Sequence, residues 1–177
     1  MKFTTLFYVL LMPMVLMSQV AKFEVNNFEN IEPIIQYCDT LSSQEIYEKT
    51  SDWINLVYTN SDKVIDGKVE NDFIRFSGIA KEIFIVNGAN PFDLQYTLRI
   101  DFKDNKYRLS LESYAFISHY SGGSFQLNYW IKGKGDRRKG TKMYYKASQA
   151  LIDEINNINY SLYEYIIGKT KDKKDDW

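Results

Sequence analysis

The sequence predicts an α+β domain: a single antiparallel sheet with two helices on one face, in the order β-α-β-β-β-β-α with room for one further strand. Three observations lead there. Leu94 to Lys103 alternates apolar and polar residues without a break, the alternation resumes at Tyr107 after Asp104-Asn105, and two separate stretches repeat apolar residues at helical spacing. The 177 residues, 45% apolar and 25% charged, have the balance of one globular domain, and no repeat or Pro/Gly/Ser-rich linker divides them.

Taken in order, Val20 to Val25 alternates Ala21, Phe23 and Val25 with Lys22 and Glu24 and reads as a first strand. Ser42 and Glu45 have the S-x-x-E spacing of a capping box. Ile46, Tyr47, Trp53, Ile54, Val57 and Tyr58 then recur at helical spacing, which places a helix at about Ser43 to Tyr58 with Trp53 in the core. Short β-type runs follow at Lys63 to Ile65, Phe73 to Phe76 and Ile83 to Val86, punctuated by Gly67, Gly78 and Gly88, and Asn87 to Pro91 reads as a loop. In the hairpin after Leu94, a two-residue turn sets Phe102 against Tyr107, Ile100 against Leu109 and Asp101 against Arg108, with the apolar pairs on one side. Ser113 to Ile117 extends that strand, Ser121-Gly122-Gly123-Ser124 is a flexible loop, and Phe125 to Ile131 alternates as a further strand. Met143 to Ile167 is an amphipathic helix stopped by Gly168.

At the N-terminus, Lys2 precedes an apolar run from Phe3 to Met17 broken only by Thr4, Thr5 and Pro13. This is the pattern of a secretory signal, too short for a comfortable span, with a cut near Ser18 to Ala21. Residues 1–19 are therefore expected to be a signal peptide, 20–168 the domain, and 169–177 a charged, mobile tail. Cys38 lies too far downstream to be acylated at that cut. An uncleaved anchor is the alternative reading, which Pro13 and the short run oppose. With the signal removed no integral span is expected, and the chain would act in the periplasm, in the outer envelope or outside the cell.

Lys and Arg number 22 against 23 Asp and Glu, so no global field steers the chain to nucleic acid or an anionic membrane. One cysteine and one histidine fall short of a metal signature, and no disulfide can form within the chain. No G-x-S-x-G, H-E-x-x-H, phosphate-loop or EF-hand pattern occurs, and no cofactor or metal is expected.

Ile46-Tyr47-Glu48-Lys49 leading to Trp53, then Tyr96 to Ile100, then Asp101-Phe102-Lys103-Asp104-Asn105-Lys106-Tyr107-Arg108 together resemble the bacterial family called domain of unknown function 4468, described as having a TBP-like fold. The similarity runs from about Phe23 to Tyr114, and Phe125 onward departs from it. The resemblance implies a sheet with two helices on one face and an envelope location. It implies no catalytic residues, because the family has no assigned activity.

Three places are candidate sites. Lys132, Lys134, Arg137, Arg138, Lys139, Lys142 and Lys146 are opposed only by Asp136, with Gly133, Gly135 and Gly140 interspersed and Tyr129, Trp130, Tyr144 and Tyr145 alongside. Phosphate, sulfate or an acidic sugar would suit such a segment, and a plain solvated loop before the last helix would carry the same composition. His119, beside the glycine loop, is a weak candidate general base, with Ser121 or Ser124 as proximity partners and a surface histidine as the bland alternative. Cys38 with His119 would make a thiol pair, although a buried structural cysteine is the commoner case. The open face of the hairpin, with Gln95, Thr97, Arg99, Asp101, Arg108, Ser110 and Glu112, is mixed in sign, which argues against nucleic acid. Asp153 and Glu154 read as a solvated pair on the outer side of the last helix.

The expected function is that of a non-enzymatic exported binding module of the cell envelope, whose partner is an envelope protein or an anionic glycan or lipid. The alternatives are a small hydrolase or glycan-processing enzyme using His119, or a peripheral binder of anionic lipid or polysaccharide through Lys132 to Lys146. Oligomeric state is not legible.

Overall fold

A computed structural model describes residues 20–24, 31–132 and 137–169, with side chains for the same residues except 131–141. The expected signal peptide, residues 25–30 and 133–136 and the tail beyond Lys169 lie outside the described residues. The elements are β1 (Ile34–Tyr37), α1 (Ser43–Val57), α2 (Ser61–Val64), β2 (Ile65–Val69), β3 (Phe73–Val86), β4 (Asn90–Lys103), β5 (Lys106–Ser118), β6 (Ser124–Phe125), α3 (Tyr129–Lys132) and α4 (Arg137–Ile166). The strands form one antiparallel sheet in the order β1-β5-β4-β3-β2, with β6 added to β5. Helix α1 packs on β3, β4, β5 and α4, and α4 packs on β3, so the two long helices cover one face.

The sequence accounts for the best-defined parts directly. Phe102 pairs with Tyr107, Ile100 with Leu109 and Asp101 with Arg108, as the two-residue turn requires. Phe92, Leu94, Tyr96, Leu98, Ile100 and Phe102 of β4 all point inward, where they meet Ile46, Trp53 and Ile54 of α1 and Leu151, Ile155 and Leu162 of α4 in one core. Each such aliphatic side chain contributes about 1.5–3 kcal/mol when taken out of water. The capping box is complete: the Glu45 N–H donates to Ser42 Oγ at 3.2 Å and the Ser42 N–H donates to Glu45 Oε2 at 2.8 Å. Gly168, at φ +72, ends α4, with the Lys169 N–H reaching back to Glu164 O at 2.9 Å.

Several elements differ from expectation. Val20–Glu24 is not a strand. Its backbone is held by side-chain amides instead: the Ala21 N–H donates to Gln36 Oε1, the Phe23 N–H donates to Asn156 Oδ1, and Asn156 Nδ2 and Asn159 Nδ2 donate to Phe23 O and Ala21 O. The first strand is Ile34–Tyr37, whose pattern conceals it because Gln36 is buried while Ile35 and Tyr37 are exposed. Lys63 and Val64 belong to the short helix α2 rather than to a strand. The two runs at 73–76 and 83–86 are one strand, β3, interrupted by a bulge between Ala80 and Phe84 where Glu82 has φ +50. The turn after it is confined to 87–89, and Asn90 and Pro91 already belong to β4.

Phe125 to Ile131 is not a strand beyond Phe125. The chain turns at Gln126, whose carbonyl accepts from the Tyr129 N–H, and enters α3. Period two over so few residues does not separate a strand from a turn with one apolar residue tucked in, here Leu127. The basic segment is not a plain loop, because α4 begins at Arg137, six residues before the expected start. Both local signals there oppose a helix: Gly140 lowers helix propensity by about 1 kcal/mol, and cations at an N-terminus meet the positive end of the dipole.

Candidate functional site

The face of the sheet away from α1 and α4 is open among the described residues. It carries Ser77 and Ile79 of β3, Gln95 and Thr97 of β4, and Ser113 and Ala115 of β5. With the backbone of Gly78, Tyr96 and Tyr114 as floor, these line a groove of about 490 Å³. Ser77 Oγ and Thr97 Oγ1 lie 3.0 Å apart in its wall, and Ile79 is 53% exposed. Short hydroxyl side chains make it a concavity in the sheet rather than a walled cavity.

A single irregularity decides what stands at one end of this groove. Between Thr97–Ser113 and Leu98–Leu111 the pairing slips by one residue, leaving Glu112 as an extra residue in β5. Below the slip the even residues Arg108 and Ser110 face outward. Above it the odd residues Ser113, Ala115 and Ile117 do, and His119 continues that outward row. His119 thereby meets Asp93, two residues along β4 from Gln95 and on the same open face.

His119 Nε2 lies 2.7 Å from Asp93 Oδ1, Lys81 Nζ donates to Asp93 Oδ2 at 2.7 Å, and the N–H of Glu82 donates to Asp93 Oδ1 at 3.0 Å. The positive φ of Glu82 in the β3 bulge is what turns that N–H toward the carboxylate. Asp93 is nearly buried, at 6% exposure. The Lys81 ammonium, and with it the Glu82 N–H and His119, hold its carboxyl well below the usual carboxylate range against the opposing effect of burial. An ionised aspartate on Nε2 orients the imidazole and leaves its other nitrogen for a ligand or proton.

Among the described residues no nucleophile completes a triad. Ser121 Oγ accepts from the Gly123 N–H, and Ser118 Oγ donates to Asn90 Oδ1. Neither these contacts nor any at Ser124 reach His119 among the described residues. Cys38 follows β1 beside the turn that starts β5, while His119 follows the other end of β5, so the two form no pair.

The basic segment runs from α3 into α4. Lys132 ends α3, Lys134 lies outside the described residues, Arg137, Arg138 and Lys139 sit in the first turn of α4, and Lys142 is exposed one turn on. Lys146 donates to Ile85 O at 2.6 Å and so ties α4 to the end of β3. Trp130 is no free platform: half-buried, it packs with Phe84, Phe92, Phe116 and Phe125 as part of an aromatic cluster under β6.

Glu154 corrects the reading of an exposed acidic pair. Asp153 is exposed and accepts from Gln149 Nε2, but Glu154 is half-buried near Tyr58 and Tyr96, whose hydroxyls are 3.0 Å apart. Burial raises the pKa of Glu154 and of both tyrosines. Asp93 and Lys81 were not singled out by sequence, since a polar residue beside buried Leu94 looks like ordinary strand alternation.

Residues 35–116 match a family model described as a domain of unknown function (DUF4468) with TBP-like fold. Two solved structures have the same fold. A TBP-like protein from Parabacteroides distasonis ATCC 8503 superposes with a TM-score of 0.60 at 14% identity, covering 76% of this chain and 90% of that one. A DUF4468 family protein from Bacteroides ovatus ATCC 8483 gives 0.60 at 13% identity, covering 76% and 84%. No curated protein matches the chain.

Proposed function

We propose that the chain is an exported, non-enzymatic binding domain of the bacterial cell envelope that takes its partner on the open face of the sheet. The observation that carries this reading is the uncovered groove beside an exposed Ile79, on a sheet whose other face is filled by α1 and α4. Export rests on the signal-like first 19 residues, and no helix among the described residues is long and apolar enough to cross a membrane.

The test is cross-linking in the native cell followed by peptide identification, on the wild type, on Ala115→Trp, which fills the groove from an outward-facing position, and on a variant with Arg137, Arg138 and Lys139 changed to Glu. A partner lost only with Ala115→Trp supports the open face. Loss only with the charge reversal moves the site to the basic segment and to an anionic lipid or polysaccharide. Recovery of the chain beginning near residue 20 in the envelope fraction is the expected sign of export, and a cytoplasmic chain retaining Met1 would overturn it.

The His119–Asp93 pair favours one second reading, a hydrolytic or glycan-processing enzyme. Under it, His119→Ala abolishes turnover of the recovered partner or glycan. Under the binding reading the same change leaves capture intact.

A further inference from the structure

At the turn end of the open face, Lys103 and Lys106 are direct cross-strand partners. Phe102 and Tyr107 beside them point into the core, so both lysines stand on the open face. Like charges directly opposite each other destabilise a ladder. In a chain of net charge −1 this arrangement is not forced by composition.

The turn carrying them is also fixed in place. The Cys38 N–H donates to Asn105 O at 2.8 Å, the Asn105 N–H donates to Leu41 O at 2.8 Å, and Asp104 Oδ1 accepts from the Ser43 N–H at 2.9 Å. The nearest carboxylate on this face is already engaged: Asp101 accepts from Arg99 Nε at 2.7 Å and from Arg108 Nε and Nη2 at 3.0 and 2.9 Å. Among the described residues neither lysine has an ion-pair partner, while Lys106 Nζ lies 5.6 Å from the Tyr37 ring centroid. Ile35, Asp101, Lys103, Lys106, Tyr107 and Arg108 enclose a pocket of about 180 Å³ there, rimmed by Tyr37 at 54% exposure.

We propose that this pocket is a binding site for a phosphate monoester, its oxygens on the Lys103 and Lys106 ammonium groups with Arg108 behind them, and its carbon substituent against Ile35 and Tyr37. Three cations, Lys103, Lys106 and Arg108, against the single carboxylate of Asp101 leave a surplus that one carboxylate ligand would not offset, whereas a phosphate monoester carries about −1.5 to −2 at neutral pH. Lysine ammonium groups serve phosphate as point charges with rotatable donors. The site rests on the open-face reading, because it makes this end of the same face the place where the partner's anionic group is held.

The test is amide NMR of the purified chain titrated with glucose 6-phosphate, alongside co-sedimentation with phosphatidylcholine vesicles with and without phosphatidate. Saturating shifts at Tyr37, Lys103, Lys106 and Arg108 with the sugar phosphate support the site with a soluble ester as its ligand. Sedimentation only with phosphatidate supports it with a lipid headgroup, provided the Lys103→Gln/Lys106→Gln double variant loses it. In either arm the double variant should bind about tenfold more weakly or worse, since it removes both ammonium groups that hold the phosphate oxygens. Lys68→Gln, exposed on β2, should bind as the wild type does. Both replacements lie on the surface, and an otherwise unchanged spectrum verifies the fold. No saturating shift and no phosphatidate-dependent sedimentation would overturn the site, as would equal binding by the double variant. If phosphate binding fails while Ala115→Trp still loses the cellular partner, only the phosphate site falls. If phosphate binds and Ala115→Trp retains the partner, only the groove falls.

Discussion

The hydroxyl of Tyr107 donates to Asn159 Oδ1 at 2.7 Å in the interior of the domain, joining β5 to α4. Asn159, with no exposure, passes the connection on through Nδ2 to the carbonyl of Ala21, so one buried amide fastens the sheet, the last helix and the N-terminal segment together. Tyr107→Phe leaves Asn159 Oδ1 without this donor while keeping the ring volume. An unsatisfied buried acceptor costs about 1–3 kcal/mol, so the urea midpoint should fall accordingly with an unchanged slope. A midpoint within error of the wild type would mean that the bond contributes nothing net.

Cys38 is buried at 1% exposure between β1 and α1, and burial, with Asp39 adding to it, raises its pKa from the ordinary 9.0 to about 12. The folded-state value lies above the unfolded one, so its contribution to stability is complete below pH 9 and is lost as pH climbs from 9 toward 12. Cys38→Ala should therefore show a flatter decline of stability over that window. The wild-type thiol should react with a thiol reagent only as fast as the chain opens, and rapid labelling of the folded protein would contradict its burial.

What was legible in the sequence followed from regularity. The 94–103 and 107–111 alternation carried its own register, and Ser42 with Glu45 marked the start of α1, because both signals act over a few residues. The His119–Asp93 pair was not legible. Extending the register from Phe102–Tyr107 without interruption pairs Asp93 with Phe116 and places His119 on the core side, and only the extra residue at Glu112 reverses this. Likewise β1 hid behind an inward glutamine that serves Ala21, and the first turns of α4 behind glycine and like charges. For β1 a tertiary contact, Gln36 to the Ala21 N–H, outweighs the local pattern.

Asp93 should govern the acid limb of stability. Lys81, the Glu82 N–H and His119 hold its folded-state pKa below the unfolded value near 4, so the unfolded chain binds the extra proton first. The contribution of Asp93 is present above pH 4 and is lost as pH falls below it. Asp93→Asn should be less stable at neutral pH and flatter between pH 5 and about 2 by urea titration. A parallel acid limb in both proteins would show that the carboxylate is not the group responsible.

Gly78 of β3 pairs with Tyr96 of β4, and the tyrosine ring lies directly over it. A Cβ on residue 78 would come within 2.4 to 2.7 Å of Tyr96 Oη, Cζ and Cε2. The ring has little room to yield, because Tyr96 is 5% exposed and its hydroxyl is 3.0 Å from that of Tyr58. Gly78→Ala should therefore destabilise the fold by about 1–3 kcal/mol, the usual cost of an overpacked interior, although alanine is otherwise better suited to a strand than glycine. The cause can be isolated with Tyr96→Leu, which removes the ring from above residue 78. In that background Gly78→Ala should be neutral or mildly stabilising by thermal or urea unfolding. An equal loss in both backgrounds would place the strain in the backbone of β3 rather than in the ring.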